Sequence, residues 1–319
     1  MSKYALRRTL LLIPALAGIS LVIFTILALA PGDPFEELAT NPNVPPEVGQ
    51  RLREQFGLDD PVMIRYFRWF FAMVRGDWGF SFVSRVGVDT LIMQRLPVTL
   101  IVLGSALVLS LLVALPVGTL SALRPYSIFD QIATTLAFIG FSLPTFFTGL
   151  LFILLFSIYL DWLPFIYRTD VPGEGWAFVW GHVKQAIMPI TVLGLAQGAG
   201  TTRFVRSAVL DVVRLDYVNT ARAKGLSERV TVVKHVVRNA LIPVVTLVAL
   251  QIPGIFAGAV VTEQIFRVPG IGSLLITAIL ANDTPVVMAV TFVASCLVVI
   301  FNLIADLVYG WLDPRITYR

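Results

Sequence analysis

The chain has 319 residues, of which 57% are hydrophobic and 14% charged, with a mean hydropathy of +0.83. A soluble domain is typically about 45–50% apolar and about 25% charged, so this composition excludes disordered and collagen-like chains and argues against a soluble globule, whose surface so few charges could not cover. The formal charge is +4, and the one cysteine, Cys296, excludes a disulfide framework and a cysteine-rich metal site.

A bilayer core of about 30 Å calls for about 20 apolar residues of helix. Six stretches without Asp, Glu, Lys or Arg approach or exceed that length: 9–30, 99–122, 131–160, 186–202, 239–262 and 284–305. The fourth is short and carries Gly194, Gly198 and Gly200. Backbone that crosses lipid must satisfy its own hydrogen bonds, so the spans are expected to be helices. Nothing alternates as a membrane β-strand would. The first span follows Lys3, Arg7 and Arg8 and ends near Ala28-Leu29-Ala30, which also fits a cleaved signal. Its apolar stretch exceeds the usual signal length, and a retained helix is the favoured reading.

Basic residues in short loops set orientation. With both termini inside, the inside segments carry 14 basic and six acidic side chains, and the outside segments 10 and 14. The overall basicity is therefore mostly a cytoplasmic-side bias, not a nucleic-acid footprint. The expected fold is an all-α membrane protein with six transmembrane helices, both termini cytoplasmic and a small helical periplasmic subdomain. Residues 1–30 form the tail and first helix, 31–97 the subdomain, and 98–319 the membrane core with an inside loop at 203–238.

The 31–97 segment opens on a Pro-Gly-Asp-Pro turn and carries aromatic clusters at Tyr66–Phe71 and Trp78–Phe82. Stretches 46–56 and 61–75 are expected to be short helices, with the aromatics as packing or interfacial anchors. The outside segment 161–185 holds Trp162, Trp176 and Trp180, which suit an interfacial hairpin. The outside segment 263–283 contains Pro269-Gly270-Ile271-Gly272, a tight turn between apolar stretches. A re-entrant or gate-like segment and a plain loop are both open here.

The inside loop is the most informative. Residues 216–225 form a short helix ending at Gly225, a residue suited to a left-handed cap. Ser227 is placed to cap a second helix, with Val230, Val233, Val237 and Ala240 or Leu241 on one stripe. A helix–Gly–helix hairpin could offer its first helix to another protein. A solvated basic loop attracted to anionic lipid explains the same composition.

No G-x-x-x-x-G-K-[ST], H-E-x-x-H, C-x-x-C or G-x-S-x-G motif occurs. His182 and His235 fall on opposite sides of the expected membrane, so no metal site is expected. The polar residues within spans are Gln197, Gln251 and Asn302, which either bond between helices or line a path. Gly194 with Gly198, and Gly254 with Gly258, form faces that permit close helix contact.

Several motifs in joint order carry a resemblance. They are Ala30-Pro31-Gly32-Asp33-Pro34, Gly57-Leu58-Asp59-Asp60-Pro61, Gly76-Asp77-Trp78-Gly79-Phe80-Ser81 and Phe141-Ser142-Leu143-Pro144. Most specific is Asp216-Tyr217-Val218-Asn219-Thr220-Ala221-Arg222-Ala223-Lys224-Gly225-Leu226, followed by Glu263-Gln264-Ile265-Phe266 and Pro269-Gly270-Ile271-Gly272. Over nearly its whole length the chain resembles the permease subunits of bacterial ABC importers, in the dipeptide/oligopeptide/nickel group.

The resemblance implies that Tyr217, Asn219, Thr220, Ala221, Arg222, Ala223, Lys224, Gly225 and Leu226 form the loop that docks on an ATPase subunit. The wider family pattern begins Glu-Ala-Ala; here Asn219-Thr220-Ala221 stands in its place. Glu263, Phe266, Pro269, Gly270 and Gly272 are the expected periplasmic gate, and Gln197, Gln251 and Asn302 the expected translocation path. The implied partners are a second homologous permease, two ATPase subunits, a periplasmic or lipid-anchored substrate-binding protein and membrane lipid, with no nucleic acid. No cofactor is expected on this chain, and ATP and Mg belong to the partner subunits. The expected function is non-enzymatic translocation, by alternating access, in a bacterial inner membrane. Peptides are the first expected cargo, with nickel chelates and oligosaccharides as alternatives in the same group. A self-sufficient secondary carrier and a membrane-embedded enzyme are the competing classes, disfavoured by the absence of intramembrane charges, of an inverted repeat and of a catalytic constellation.

Overall fold

The computed structural model describes residues 2–29, 59–168, 170–171 and 173–312. Among these the regular structure is helical, apart from one bridge between Phe80 and Gly87. In chain order the helices are α1 (Ser2–Leu29), α2 (Val62–Val74), α3 (Val88–Leu123), α4 (Ile128–Ser142) and α5 (Thr145–Phe152, running on as a π-helix over Ile153–Tyr159). Then come α6 (Trp176–Val213), α7 (Asp216–Ala223), α8 (Glu228–Val230, a π-helical stretch Thr231–Val237 and Arg238–Ile265), α9 (Ile271–Leu280) and α10 (Thr284–Leu312). The helix expected at 46–56 lies outside the described residues.

Among the described residues four helical segments are long and apolar enough to cross a membrane: Arg8–Leu29, Val88–Leu123, Glu228–Gln251 and Thr284–Ile304. The expected span at 131–160 is not one straight helix. It is α4 and α5, bent by 104°. Leu143 between them is extended (φ −81°, ψ 128°), because the ring of Pro144 disfavours helical backbone in the residue before it. Counted as one broken span, the pair makes five.

The stretch expected as the fourth span, 186–202, lies inside α6, whose 38 residues extend about 57 Å. It reaches across a bilayer by length but is not among the apolar helices. The reason is its place in the bundle. α6 packs on α3, α8, α4 and α5, so protein rather than lipid covers much of it, and polar or small residues are tolerated there. A β-carbon on Gly194 would come within 3.0 Å of Leu109 and 3.1 Å of the Ala106 carbonyl, so the expected small-residue face is where α6 meets α3.

Among the described residues, three of the four apolar clusters join the long helices. Val102, Leu103, Ala106, Met188, Val192 and Phe266 fill the middle between α3, α6 and α8. Val88, Ile92, Ile271, Val286 and Val290 join α3, α9 and α10 at one end, with Met73 of α2 among them. Val205, Val209, Val218, Val236, Ala240 and Val244 join α6, α7 and α8 at the other. The helix at 61–75 forms as expected. α3 begins at Val88, however, so it runs straight across the boundary placed after Pro97. The turn before it is held by Asp283, whose buried carboxylate accepts from Ser81 Oγ, from Phe82 N at 3.2 Å and from Val83 N at 3.4 Å.

The stripe expected on the second inside helix holds only at its later end: Ala240 is buried and Leu241 packs on the same core, whereas Val230 and Val233 are exposed and Thr231, Val236 and Val244 are the other buried positions. Between Thr231 and Val236 the chain is π-helical, with i→i+5 hydrogen bonds and a wider turn, so the inward face shifts relative to that of an α-helix. Ser227 precedes this helix but makes no side-chain capping bond. Thr231 is fully buried and its hydroxyl has no hydrogen-bond partner among the described residues. An unpaired buried hydroxyl costs about 1–3 kcal/mol. Thr231→Val, which keeps the shape, is expected to raise the unfolding temperature of the detergent-solubilised protein, as read by a thermal melt.

Candidate functional site

The short helix α7 hangs between the ends of α6 and α8. Val218 is fully buried and Ala221 6% exposed, and Val218 packs in the layer formed by Val205, Val209 and Val236. Asn219, Thr220, Arg222, Ala223, Lys224 and Gly225 are exposed, as are Tyr217 and Leu226. Of the nine residues expected to dock on a partner, eight therefore face outward, while Ala221 points into the bundle.

The end of α7 is a glycine-dependent stop. Leu226 N donates to the Ala221 carbonyl at 3.4 Å and Gly225 N to the Arg222 carbonyl at 2.9 Å, with Gly225 at φ +80°. This is the double bond pattern of a Schellman motif, which needs the left-handed conformation that glycine adopts without penalty. Two side-chain ties then fix α7 to α8. Arg222 Nε and Nη2 donate to both Glu228 carboxylate oxygens at 3.0 and 2.8 Å. Tyr217 Oη donates to the His235 carbonyl at 3.3 Å and accepts from Asn239 Nδ2 at 3.1 Å. The ion pair is exposed and contributes little stability by itself. Its bidentate geometry fixes the orientation of the end of α7 relative to the start of α8.

In the last third of α6 lies an ion pair whose carboxylate is buried. Arg206 Nε and Nη2 donate to Asp130 Oδ1 and Oδ2 at 2.6 and 2.7 Å. Asp130 also accepts from Tyr126 N at 2.8 Å and Thr134 Oγ1 at 3.3 Å. Beside it, the guanidinium of Arg203 stands 4.7 Å from the ring centres of both Phe138 and Phe141, a cation–π arrangement. These contacts tie the start of α4 to the end of α6. Sequence reasoning missed the pair, although Ser127-x-x-Asp130 carries a capping signal: Ser127 Oγ accepts from Asp130 N at 3.2 Å.

At the opposite end the expected gate residues converge on one carboxylate. Glu263 is 1% exposed. Its Oε1 accepts from Thr99 Oγ1 at 2.6 Å and its Oε2 from Ser273 N at 2.9 Å. Thr99 Oγ1 in turn accepts from Ile271 N at 2.8 Å. The carboxylate so pins the first turn of α9 to α3, where the open N–H groups of a helix favour a negative partner. A β-carbon on Gly270 would stand 2.1 Å from Glu263 Oε1, so the backbone approaches closely only because glycine is there. Phe266 is buried in the middle layer, and its carbonyl accepts from Tyr167 N at 3.1 Å, which ties the outside segment to α8. Pro269 is half-buried in the turn. The segment is thus a turn and a short apolar helix, not a plain loop. Thr99, which completes the cluster, carries no signal of its own in the sequence.

Glu263→Ala would orphan the Thr99 hydroxyl and the Ser273 N–H, at about 1–3 kcal/mol each. It is expected to lower the melting temperature clearly, and Glu263→Gln, which keeps an acceptor, less so; equal losses for the two would show that the hydrogen bonds are not what holds α9.

The three expected path residues are only partly brought together. Thr201 Oγ1 donates to the Gln197 carbonyl at 3.0 Å and lies 3.4 Å from Gln251 Oε1, a long contact between α6 and α8. Asn302 stands on α10, which packs on α1 and α8, and no hydrogen bond joins it to that group among the described residues.

Comparison with known proteins decides the family. Residues 114–318 match the model of the binding-protein-dependent transport system inner membrane component, and residues 1–103 match the N-terminal model of such membrane components. The chain belongs to this family. It is 42% identical over 320 residues to the oligopeptide transport system permease protein AppB of Bacillus subtilis (strain 168). It is 35% identical over 338 residues to the dipeptide transport system permease protein DppB of Escherichia coli (strain K12). It is 36% identical over 319 residues to the glutathione transport system permease protein GsiC of Salmonella paratyphi A. In each case all of this chain and all of the relative are covered. The chain is accordingly a permease subunit of an ABC-type importer and a multi-pass inner-membrane protein. The family places its role in transport rather than in catalysis.

Proposed function

We propose that this permease subunit moves peptides inward by alternating access, driven by ATP hydrolysed on separate subunits. Two ATPase subunits with bound ATP and Mg²⁺, a second permease of the same family, and a periplasmic or lipid-anchored binding protein complete the assembly. The three relatives are named for oligopeptide, dipeptide and glutathione transport, which supports a peptide cargo. The single observation that carries the coupling role is the construction of α7. Two residues anchor it in the core and its remaining surface stands open between α6 and α8.

In this reading α7 docks on an ATPase subunit at the cytoplasmic face. ATP binding moves the docked α7, and the Tyr217 and Arg222 ties carry the motion into α8, while α6 receives it directly through Arg214 and Leu215. Such a ligand shifts the balance between inward-open and outward-open forms only by its differential contacts with the two. The segment around Glu263 is the gate at the periplasmic end. Gln197, Gln251 and Asn302, polar and uncharged, line the path, so that selection is left largely to the binding protein.

The test is reconstitution. The chain with its co-purifying permease and ATPases, in liposomes with ATP inside the cytoplasmic compartment, should accumulate a labelled dipeptide only when the binding protein is supplied. Accumulation by the chain alone, without nucleotide, would refute the reading in favour of a secondary carrier.

A further inference from the structure

Helix α2 belongs to the segment expected to lie on the outer face, yet its side chains reach into the level of a membrane-spanning helix. Tyr66 Oη donates to the Ala17 carbonyl of α1 at 3.2 Å and lies 2.9 Å from Ser20 Oγ. Phe24, 4% exposed, contacts the rings of Tyr66 and Trp69 with centroids 5.6 Å away in each case. Trp69 also meets Phe292 of α10 edge-on. Phe24 lies five residues before the end of α1 and Ser20 nine, about 7 and 13 Å along the helix axis.

At about 100° per residue, most positions of α2, with its C-cap Arg75, fall into three sectors, and the half-exposed Ile64 lies between the second and the third. Tyr66, Trp69, Phe70 and Met73 make the sector that packs on α1 and α10. Met63, Phe67, Phe71 and Val74 make a second sector, which is apolar although each is at least half exposed. Arg65, Arg68 and Arg75 make the third, a basic strip of about 80°. A water-facing helix has no use for the second sector, and a helix buried in protein has none for the third. An amphipathic helix lying at the boundary of headgroups and acyl chains uses both.

We propose that α2 is seated in the bilayer leaflet at the C-terminal end of α1, the outer leaflet in the proposed orientation, and forms a binding face for an anionic phospholipid. Acyl chains lie on Met63, Phe67, Phe71 and Val74, at the level of the lipid-facing Val22 and Ile26 of α1, both more than half exposed. The phosphodiester is held by Arg65 and Arg75. Arg68, paired with Asp60 at 2.9 Å, is the weaker contributor. The inference depends on the chain crossing the membrane and holds whatever cargo it carries.

Spin labels test the seating. Phe67→Cys and Phe71→Cys, each in a Cys296→Ala background, are labelled in the full assembly in nanodiscs of phosphatidylglycerol and phosphatidylcholine. Both labels should be open to molecular oxygen and shielded from a water-soluble nickel chelate, and a label at Arg68→Cys should show the reverse trend. Exposure of the first two to the chelate places the face in water and overturns the proposal. Shielding from both reagents means that protein covers the face, a docked binding protein included, and overturns it equally. Native mass spectrometry tests the headgroup. Retention of phosphatidylglycerol over phosphatidylcholine should fall several-fold in Arg65→Gln/Arg75→Gln and recover in Arg65→Lys/Arg75→Lys; an unchanged preference in the glutamine pair overturns the anionic site.

Discussion

Gly225→Val is expected to cut ATP-driven uptake and substrate-stimulated ATPase activity by about tenfold in the assembled transporter. No atom lies within 4 Å of the place a β-carbon would take at Gly225, so the effect cannot come from a clash. It comes from the backbone. Gly225 sits at φ +80°, where an L-residue pays about 1–2 kcal/mol and a β-branched one more. The Schellman bonds from Gly225 and Leu226 would loosen, and the angle between α7 and α8 would change. A penalty of about 1.4 kcal/mol is a factor of ten in a docking equilibrium. Gly225→Asn, which tolerates the left-handed region, should lose much less. The measurement is uptake and ATPase activity in liposomes at matched protein levels. Full uptake by Gly225→Val would remove α7 from the coupling mechanism.

Asp130→Ala is expected to give a large loss of stability. It leaves the Arg206 guanidinium without its bidentate partner, in a place where Asp130 is 4% and Arg206 26% exposed. It also strips the Tyr126 N–H and the Thr134 hydroxyl of an acceptor. Breaking a buried pair from one side costs about 3–5 kcal/mol, and the partial exposure of Arg206 puts this case toward the lower figure. Replacing both partners removes the stranded charge. Asp130→Ala/Arg206→Met is therefore expected to melt well above Asp130→Ala, and the four proteins form a double-mutant cycle that isolates the coupling. If the double variant melts no higher than the single one, the pair is not what joins α4 to α6. Transport should fall in Asp130→Ala even at a temperature where it stays folded, since α4 then no longer follows the end of α6 as one body.

Much of the architecture is legible because the bilayer imposes simple rules. Long uncharged runs must be helices, which locates α1, α3, α8 and α10. The short helix α7 and its stop at Gly225 are legible for a local reason: glycine at a helix end satisfies backbone groups that other residues leave strained. The cluster around Glu263 is half legible. Glu263 and Gly270 stand out in the sequence, whereas Thr99, 164 residues away, joins them only when α3 and α9 pack together. The first turns of α8 are not legible from periodicity, because a π-helical stretch there changes the number of residues per turn and periodicity arguments assume one value throughout.

The sequence by itself determined that the chain is helical and membrane-embedded, and where the short helix α7 stops. Those facts follow from hydration cost and backbone geometry, which act locally and leave marks in composition and spacing. Only the tertiary structure decided that the third apolar run is broken at Pro144, that the polar α6 is the central helix, and that α2 packs at the level of a membrane span. It also brought Asp130 to Arg206 and Thr99 to Glu263. A buried charge or a half-polar helix is stable only when a neighbour supplies its missing partner, and which neighbour does so is settled by packing between segments far apart in the chain.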